Sequence, residues 1–479
     1  MTQKGNAQTY KGDNKLILGI VLGVVTFWLF AQSLLNVVPT LQQSFHSSIG
    51  TISIAVSITA LFSGMFVVGA GSLADKVGRV KITYIGLWLS IIGSLLIIIS
   101  NLPILLIIGR VIQGLSAAAI MPSTLAIMKA YFDGKDRQRA LSYWSIGSWG
   151  GSGLASLFGG MVSTFIGWRW IFILSILIAL LSMYLIKGTP ETKSPITNNK
   201  RFDYAGLILF VIMMLSINIV ITQSGALGLF SPIILGLIII FILSTIIFLK
   251  VENKIGNPLI DFKLFHNKAY TGATLSNFLL NGVAGALLVA NTFVQQGLGF
   301  SAFQTGLLSI TYLVTVLLMI RVGEKVLQKV GAKKPMVLGT SFNMVGIILI
   351  SLIFLPSMIY VVVCIFGYLL YGLGLGFYAT PSTDMAISNS PEDKVGVASG
   401  IYKMASSLGG AFGIALSGAL YGIVTNLTNV QIGALAGLWL NVVMVLLSLF
   451  IIMIMVPTKN KLENKISIGL TNILKTKSV

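Results

Sequence analysis

Apolar stretches of about 20 residues recur along almost the whole chain. At a rise of 1.5 Å per residue, each stretch is long enough to cross a hydrocarbon core of about 30 Å as an α-helix. We number these stretches as spans 1 to 14, at residues 16–38, 51–74, 82–100, 104–129, 140–162, 168–187, 204–222, 231–250, 272–296, 302–326, 335–355, 358–382, 397–423 and 430–456. A helix satisfies its backbone hydrogen bonds internally, as lipid requires. The sequence therefore predicts an all-α integral membrane protein with 14 transmembrane helices.

Charged residues are scarce and lie mainly in the connections between spans. They make up 9% of the chain, against about 25% in a soluble domain. Connections after even-numbered spans carry lysine and arginine, as at Lys76, Arg79 and Lys81, whereas connections after odd-numbered spans carry almost none. Because basic loops stay on the cytoplasmic side, we predict a multi-pass protein of the bacterial cell membrane with both termini in the cytoplasm.

The net charge of +19, from 32 basic and 13 acidic residues, has the same origin. A basic excess can indicate nucleic-acid binding, but these basic residues are spread over short loops, so we expect a lipid bilayer and no nucleic acid as partner. The single cysteine, Cys364, permits no internal disulfide. No metal-ligand cluster, nucleotide-binding loop or nucleophile constellation stands out, so we expect a non-enzyme without metal or cofactor.

A weak internal repeat divides the chain. Residues 77–81 after span 2 resemble residues 330–334 after span 10, and the glycine-rich span 5 resembles span 13. An offset of eight spans is expected for two parallel six-helix bundles with two helices inserted between them. The predicted division is a cytoplasmic segment at 1–15, a first bundle at 16–187, a linker with two inserted helices at 188–271, a second bundle at 272–456 and a basic cytoplasmic tail at 457–479.

Two motifs carry a resemblance to a known family. The string from Gly71 to Lys81 resembles the loop signature of the major facilitator superfamily, and Arg110-x-x-Gln113-Gly114 resembles its fourth-helix motif. The number of spans, fourteen, is similar to that of the drug:proton antiporter branch of that family. The resemblance implies the major facilitator fold in a monomer that exports amphipathic drugs such as quinolones, dyes and quaternary cations by alternating access, driven by a proton gradient. The alternative is a transporter of a physiological solute, such as a lipid precursor, siderophore or amino acid.

The chain also departs from that branch in two places. Its usual Gly-Pro pair is absent from residues 155–160 in span 5, and span 1 has no acidic residue. The resemblance therefore does not place the proton site.

The loop after span 2 is the predicted gating element. Asp75 and Arg79 are four residues apart near a helix end, which is close enough to pair. Gly71 and Gly78 would permit close approach and a tight turn. The resemblance implies that this loop regulates switching between outward-open and inward-open states; the alternative is a solubilising hairpin.

Three charged residues are candidates for proton coupling or for a cavity charge. Arg110 lies inside span 4 with Gln113 one turn away, and a cation in lipid usually faces a cavity or a partner. It either tunes a proton site or contacts cargo, or it is a structural cation bonded to carbonyls or to Gln113. Glu324 and Asp384 are the best acidic candidates, although each could equally form an interfacial ion pair.

Amide side chains form a stripe on span 9 at Asn277, Asn281, Asn291 and Gln295, and span 1 carries Gln32 and Asn36. Their spacing places the amides of each span on roughly one face. We expect them to line a substrate cavity, while interhelical hydrogen bonding, worth about 0.6 kcal/mol each, is the alternative.

Glycines crowd span 5. Small residues let membrane helices approach closely. We therefore predict a helix-packing motif at Gly147, Gly151, Gly159 and Gly160.

Overall fold

The computed structural model describes residues 10–132, 136, 140, 143–144, 147–148, 151–193, 203–228, 230–256, 258–260, 262–389 and 395–458. These residues are almost entirely helical, and no strand occurs among them. The first nine residues and most of the predicted basic tail lie outside this set.

Spans 1 to 6 correspond to helices α1 to α7 and two irregular turns. The bounds are α1 at Asn14–Val25, a π-helical turn at Thr26–Ala31, a 3-10 turn at Gln32–Asn36, α2 at Val38–Phe45, α3 at Ile49–Val77, α4 at Arg79–Ile98, α5 at Pro103–Tyr131, α6 at Gly151–Phe165 and α7 at Arg169–Ile186. Span 1 is therefore broken at its outer end, whereas span 5 is described as a full helix only from Gly151.

Spans 7 to 14 correspond to helices α8 to α17. The bounds are α8 at Tyr204–Leu227, α9 at Pro232–Glu252, a 3-10 turn at Phe262–His266, α10 at Lys268–Gly282, α11 at Ala284–Leu298, α12 at Ala302–Leu308, α13 at Ile310–Val330, α14 at Lys333–Ile350, α15 at Ser357–Ser388, α16 at Val395–Leu427 and α17 at Val430–Met455. Span 9 is broken at Val283, between α10 and α11.

Twelve of the described helices or helix pairs are long and apolar enough to cross a membrane. The other two predicted spans also contain helices: α6 covers span 5 from Gly151 onward, and α14 covers span 11 as far as Ile350. The all-α membrane fold predicted from the sequence is confirmed, and the helix positions are consistent with fourteen crossings. The residue limits of the two bundles stay a prediction.

The internal repeat reappears in how the helices pack. Glycines of span 5 lie against span 1, because a Cβ on Gly159 would meet Ser33. Glycines of α16 lie against span 9, because a Cβ on Gly413 would meet the carbonyl of Gly282. Each half thus packs its broken first helix against a glycine-rich fifth helix, as expected when an eight-span offset relates the halves.

The inserted helices lie beside the seam between the halves. Helices α8 and α9 pack on each other, and α8 also contacts both α3 and α16. Helices α3 and α16 run antiparallel along this seam, with Ile49 near Gly422 at one end and Val68 near Gly400 at the other. The insertion therefore touches both bundles.

Candidate transport pathway

The predicted gating loop is a single residue long. Helix α3 ends at Val77 and α4 begins at Arg79, so only Gly78 separates them. Its φ of +138° is a conformation that side-chain-bearing residues rarely adopt. Gly71 lies earlier in α3 itself, where a Cβ would come within 3.3 Å of Pro122 in α5. Both glycines thus occupy the positions that the motif predicts.

An acid that the sequence analysis missed binds this loop. The carboxylate of Glu191, after α7, accepts hydrogen bonds from the backbone N–H groups of Val80 and Lys81, each at 2.9 Å. A Cβ on Gly78 would collide with this carboxylate. Negative charge at a helix N-terminus is stabilising because the first N–H groups have no partner within the helix. Glu191 therefore connects the end of span 6 to the start of span 3.

Neighbouring contacts fix the same connection. Arg79 donates its backbone N–H to the Thr192 carbonyl at 3.0 Å, and the Tyr131 hydroxyl donates to the Pro190 carbonyl at 2.6 Å. Partial burial, followed by the negative charge of Glu191, raises the pKa of Tyr131, so the phenol remains a neutral donor. The side chain of Asp75 lies outside the described residues, and the predicted Asp75–Arg79 pair stays a prediction.

Arg110 is buried, with 1% of its surface exposed. Its Nε donates to the Ala55 carbonyl at 2.9 Å, its Nη1 to the Ala31 carbonyl at 2.8 Å, and its Nη2 to the Val56 carbonyl at 3.3 Å. Nη1 also donates to Gln113 Oε1 at 2.9 Å. These are the contacts of a structural cation bonded to carbonyls and to Gln113, the alternative that the sequence left open.

The Arg110 contacts tie three helices together. Ala31 ends the π-helical turn of span 1, and Ala55 belongs to α3. Gln113 extends this hydrogen-bond network to α4, because its Nε2 donates to Ser94 Oγ at 3.2 Å. In this structure Arg110 does not point into lipid. It stabilises the broken end of span 1.

The amides on span 9 are separated by the break at Val283. In α10, Asn277 donates from Nδ2 to Ser406 Oγ at 2.6 Å and to the Tyr402 carbonyl at 3.1 Å, and Asn281 donates to Asn277 Oδ1 at 2.9 Å. In α11, Asn291 Oδ1 accepts from the Tyr368 hydroxyl at 2.9 Å. Asn277 and Asn291 are therefore buried in contacts between helices.

The remaining amides are placed differently. Asn281, Gln295 and Gln32 are half-buried, so they are the members of the predicted set that retain accessible surface. The side chain of Asn36 lies outside the described residues. A cavity role for all six amides stays a prediction.

The next residue along, Gln296, joins the two halves. Its Nε2 donates to Gln42 Oε1 at 3.1 Å, and its Oε1 accepts from the Tyr421 hydroxyl at 2.7 Å. On the same predicted outer side, the Phe303 N–H donates to Thr164 Oγ1 at 3.1 Å. These contacts bridge the outer ends of the bundles, and sequence reasoning missed them because a single amide gives no signal of its partner.

Glu324 and Asp384 line the same cavity, of about 540 Å³. We call it the acidic cavity; its wall also includes Leu327, Thr380 and Met385. Glu324 lies 3.6 Å from Arg321 Nη1 in an ion pair, with 40% of its side chain exposed. Asp384 is exposed and accepts from Ser388 Oγ at 3.3 Å. The two carboxylates predicted independently from the sequence thus face one accessible space.

Glycines of span 5 lie close to span 1. A Cβ would meet Val21 at 3.1 Å from Gly147 and Trp28 at 3.1 Å from Gly151, both in span 1. Gly159 approaches Ser33, and Gly160 is buried. The seam between spans 1 and 5 is therefore nearly backbone on backbone.

Long apolar helices, their repeated packing, a one-residue loop after the second span and a buried arginine bonded to carbonyls are typical of a polytopic membrane transporter. The chain matches the family model of the Major Facilitator Superfamily over residues 20–414 and 271–475, and it belongs to that superfamily. The family predicted from the two motifs is thus confirmed.

Named relatives sharpen the comparison. The chain is 66% identical over 458 residues to the Quinolone resistance protein NorB of Staphylococcus aureus strain MRSA252, covering 96% of this chain and 99% of the relative. The same protein from strain COL matches to the same extent. The sequence-based similarity to this exporter type is confirmed.

Solved structures share the fold at low identity. A D-xylose-proton symporter superposes with a TM-score of 0.67 at 15% identity, covering 92% of this chain and 98% of that chain. The nucleoside transporter NupG gives a TM-score of 0.66 at 13% identity, covering 93% and 100%. At such identities the likeness shows the fold alone.

Proposed function

We propose that this chain exports amphipathic drugs, including quinolones, dyes and quaternary cations, across the bacterial cell membrane. The observation that carries the proposal is the 66% identity to NorB over almost the whole length of both chains. The protein acts as a transporter and not as an enzyme. It works as a monomer with both termini in the cytoplasm.

A proton gradient supplies the energy, and no cofactor takes part. The acidic cavity supports this part of the proposal, because Glu324 and Asp384 face one accessible space in which a carboxylate can exchange a proton or attract a cationic drug. An inward flow of protons through the protein then accompanies each outward movement of drug.

Alternating access accounts for the remaining features. The bundles rock about the seam of α3 and α16, with the outer ends joined through Gln42 and Gln296 in one state. The one-residue loop at Gly78 joins spans 2 and 3, and Glu191 connects span 3 to span 6, so the first bundle moves as a unit. Arg110 keeps the broken end of span 1 in place during this motion.

Inside-out membrane vesicles from an efflux-deficient host test the function. When respiration acidifies the lumen, vesicles with the protein should accumulate ethidium or a quinolone, and an uncoupler should abolish the accumulation. Glu324→Gln and Asp384→Asn should each reduce it, with vesicles lacking the protein as the baseline. Accumulation that survives the uncoupler rejects proton drive. Failure to accumulate any drug, with folded protein and an intact gradient, favours a physiological solute.

A further inference from the structure

Two carboxylates meet at the base of the inserted helices. Asp203 caps the start of α8, where its Oδ1 accepts from the Gly206 N–H at 2.8 Å. Glu252 ends α9, and its Oε2 accepts from the Ile260 N–H at 3.0 Å. Only 6% of Asp203 and 3% of Glu252 is exposed. Each acid is thus fixed by one oxygen in a buried position.

The second oxygen of each acid has no hydrogen-bond partner among the described residues. These atoms are Asp203 Oδ2 and Glu252 Oε1. Both would collide with a Cβ on Gly206, so they point into the same small space beside that glycine. Buried polar atoms are nearly always hydrogen-bonded, and an unpaired one costs about 1–3 kcal/mol. Two such atoms facing each other indicate that something binds between them.

No described cation neutralises the pair. Among the described residues, the charged group that faces Glu252 is Asp203. The basic residues on the same and neighbouring elements are exposed, namely Lys250, Lys254, Lys263, His266 and Lys268, together with Lys76 on α3 and Lys403 on α16. A metal ion would usually find more oxygen ligands than two facing carboxylate atoms provide.

Like charges in contact and away from water cannot both persist, so two such carboxyl groups share a proton. A proton on either acid makes an O–H group that donates to the other, which satisfies both unpaired oxygens at once. We propose that Asp203 and Glu252 form a proton-binding site that holds one shared proton at neutral pH. The proton belongs to the pair rather than to either residue.

The location gives this proton a structural consequence. Asp203 follows the linker from the first bundle, Glu252 ends the inserted hairpin, and Ile260 leads into span 9 of the second bundle. Helix α8 contacts α3 and α16, one helix from each bundle. Loss of the proton would place two charges at the joint of these three parts and loosen it. The site is independent of which solute the protein carries.

Infrared spectra of the purified full-length protein in lipid nanodiscs test the shared proton. At neutral pH the wild type should show a protonated-carboxyl stretch, and Glu252→Gln and Asp203→Asn should each remove it. Asparagine still caps a helix well, so Asp203→Asn keeps the fold. Glu324→Gln, which changes an accessible acid, should leave the band in place. Absence of the band in the wild type, or its survival in both variants of the pair, overturns the proposal.

The pH dependence of unfolding provides a second readout. A carboxyl group that keeps its proton longer in the folded chain than in the unfolded chain loses its stabilising contribution as the pH rises. Between about pH 5, just above the range in which an unfolded carboxyl group titrates, and about pH 8, the wild-type unfolding midpoint should fall by about 2–4 °C. The midpoint of Glu252→Gln should fall less. Equal slopes for the two proteins contradict the proposal.

Sodium distinguishes a proton from a metal cation. The unfolding series should give the same slopes in sodium, potassium and choline buffers. If sodium alone restores wild-type stability at the alkaline end, and does so only with both acids present, the pair is a cation site and the shared proton is rejected. None of these measurements involves transport, so they remain decisive if the exporter assignment fails.

Discussion

In each half of the molecule the first span is interrupted, and a side chain from the fourth span of that half binds it. In the first half, Arg110 of α5 donates to the carbonyl of Ala31, at the end of the π-helical turn. In the second half, Tyr368 of α15 donates to Asn291, beyond the break at Val283. The same position in the architecture is thus filled by a cation in one half and by a neutral phenol in the other.

The difference predicts unequal stiffness. Arg110 has four acceptors on three helices, and hydrogen bonds to charged groups contribute about 1.5–3 kcal/mol each. Tyr368 makes one bond between neutral groups, of the kind that averages about 0.6 kcal/mol in membranes. The first half should therefore keep its arrangement, while the second half can exchange partners at little cost.

Arg110→Ala should have the largest effect. The substitution leaves three carbonyls and Gln113 without their donor and opens a cavity, so we expect a loss of stability on the order of 3 kcal/mol and loss of drug resistance in an efflux-deficient host. Arg110→Lys is the matched control and should be intermediate, because an ammonium group cannot reach acceptors on both α3 and span 1. Wild-type stability and resistance in Arg110→Ala would remove the basis of the comparison.

Close packing in the second half gives the next largest effect. A Cβ on Gly413 would collide with the Gly282 carbonyl, whereas a Cβ on Gly410 would meet only the Asn281 carbonyl at an ordinary 3.9 Å. Gly413→Ala should cost about 1–3 kcal/mol through overpacking, and Gly410→Ala should be nearly neutral. Thermal unfolding of the two variants measures the difference. Similar midpoints would mean that spans 9 and 13 can shift apart to accommodate the added methyl group at little cost.

Tyr368→Phe sharpens the comparison directly, because it removes the neutral bond and little else. We expect a cost near 0.6 kcal/mol and nearly unchanged ethidium efflux. Tyr371→Phe is the control, since the Tyr371 ring packs on Tyr312 at 5.4 Å and the substitution retains that ring. A loss comparable with that of Arg110→Ala would show that both halves depend equally on this contact.

The sequence predicts structural features that repeat along the chain and groups whose placement in lipid is energetically costly. The spans follow from hydropathy, the glycine seam follows from spacing, and Arg110 is conspicuous because a cation in lipid is costly. The stripe on span 9 is only partly recovered. Its spacing assumes one continuous helix, but the break at Val283 separates Asn281 from Asn291. The described amide of span 9 that joins the two halves is Gln296, which was not part of the predicted stripe.

Contacts between acidic side chains and backbone groups far away in the chain could not be predicted from the sequence. Glu191 binds N–H groups about 110 positions earlier in the chain, and any helix start offers such groups. In the sequence, Asp203 and Glu252 resemble other acidic residues at cytoplasmic helix ends. Their neighbouring residues do not indicate that two helices bring the two carboxylates together. Only the folded arrangement shows which loop acids are buried or bonded.

The link between the third and sixth spans of each half also differs between the halves in charge. In the first half, Glu191 after span 6 binds the start of span 3. In the second half, Lys333 at the start of span 11 donates to the Met453 carbonyl near the end of span 14, at 2.5 Å. Both halves thus join equivalent helices, with charges of opposite sign. Glu191→Gln keeps an acceptor but removes the negative charge at the α4 N-terminus, a change worth about 0.3–1 kcal/mol.

We therefore expect the ethidium efflux rate of Glu191→Gln to fall by roughly two- to fivefold, with little loss of folded protein. Asp136→Asn is the matched control, because Asp136 is an exposed acid that pairs with Lys11 at 3.3 Å; its efflux should be unchanged. Equal rates in the two variants would mean that the first half moves as a unit without the carboxylate. The gating role would then rest on Gly78 and on backbone contacts such as Arg79 with Thr192.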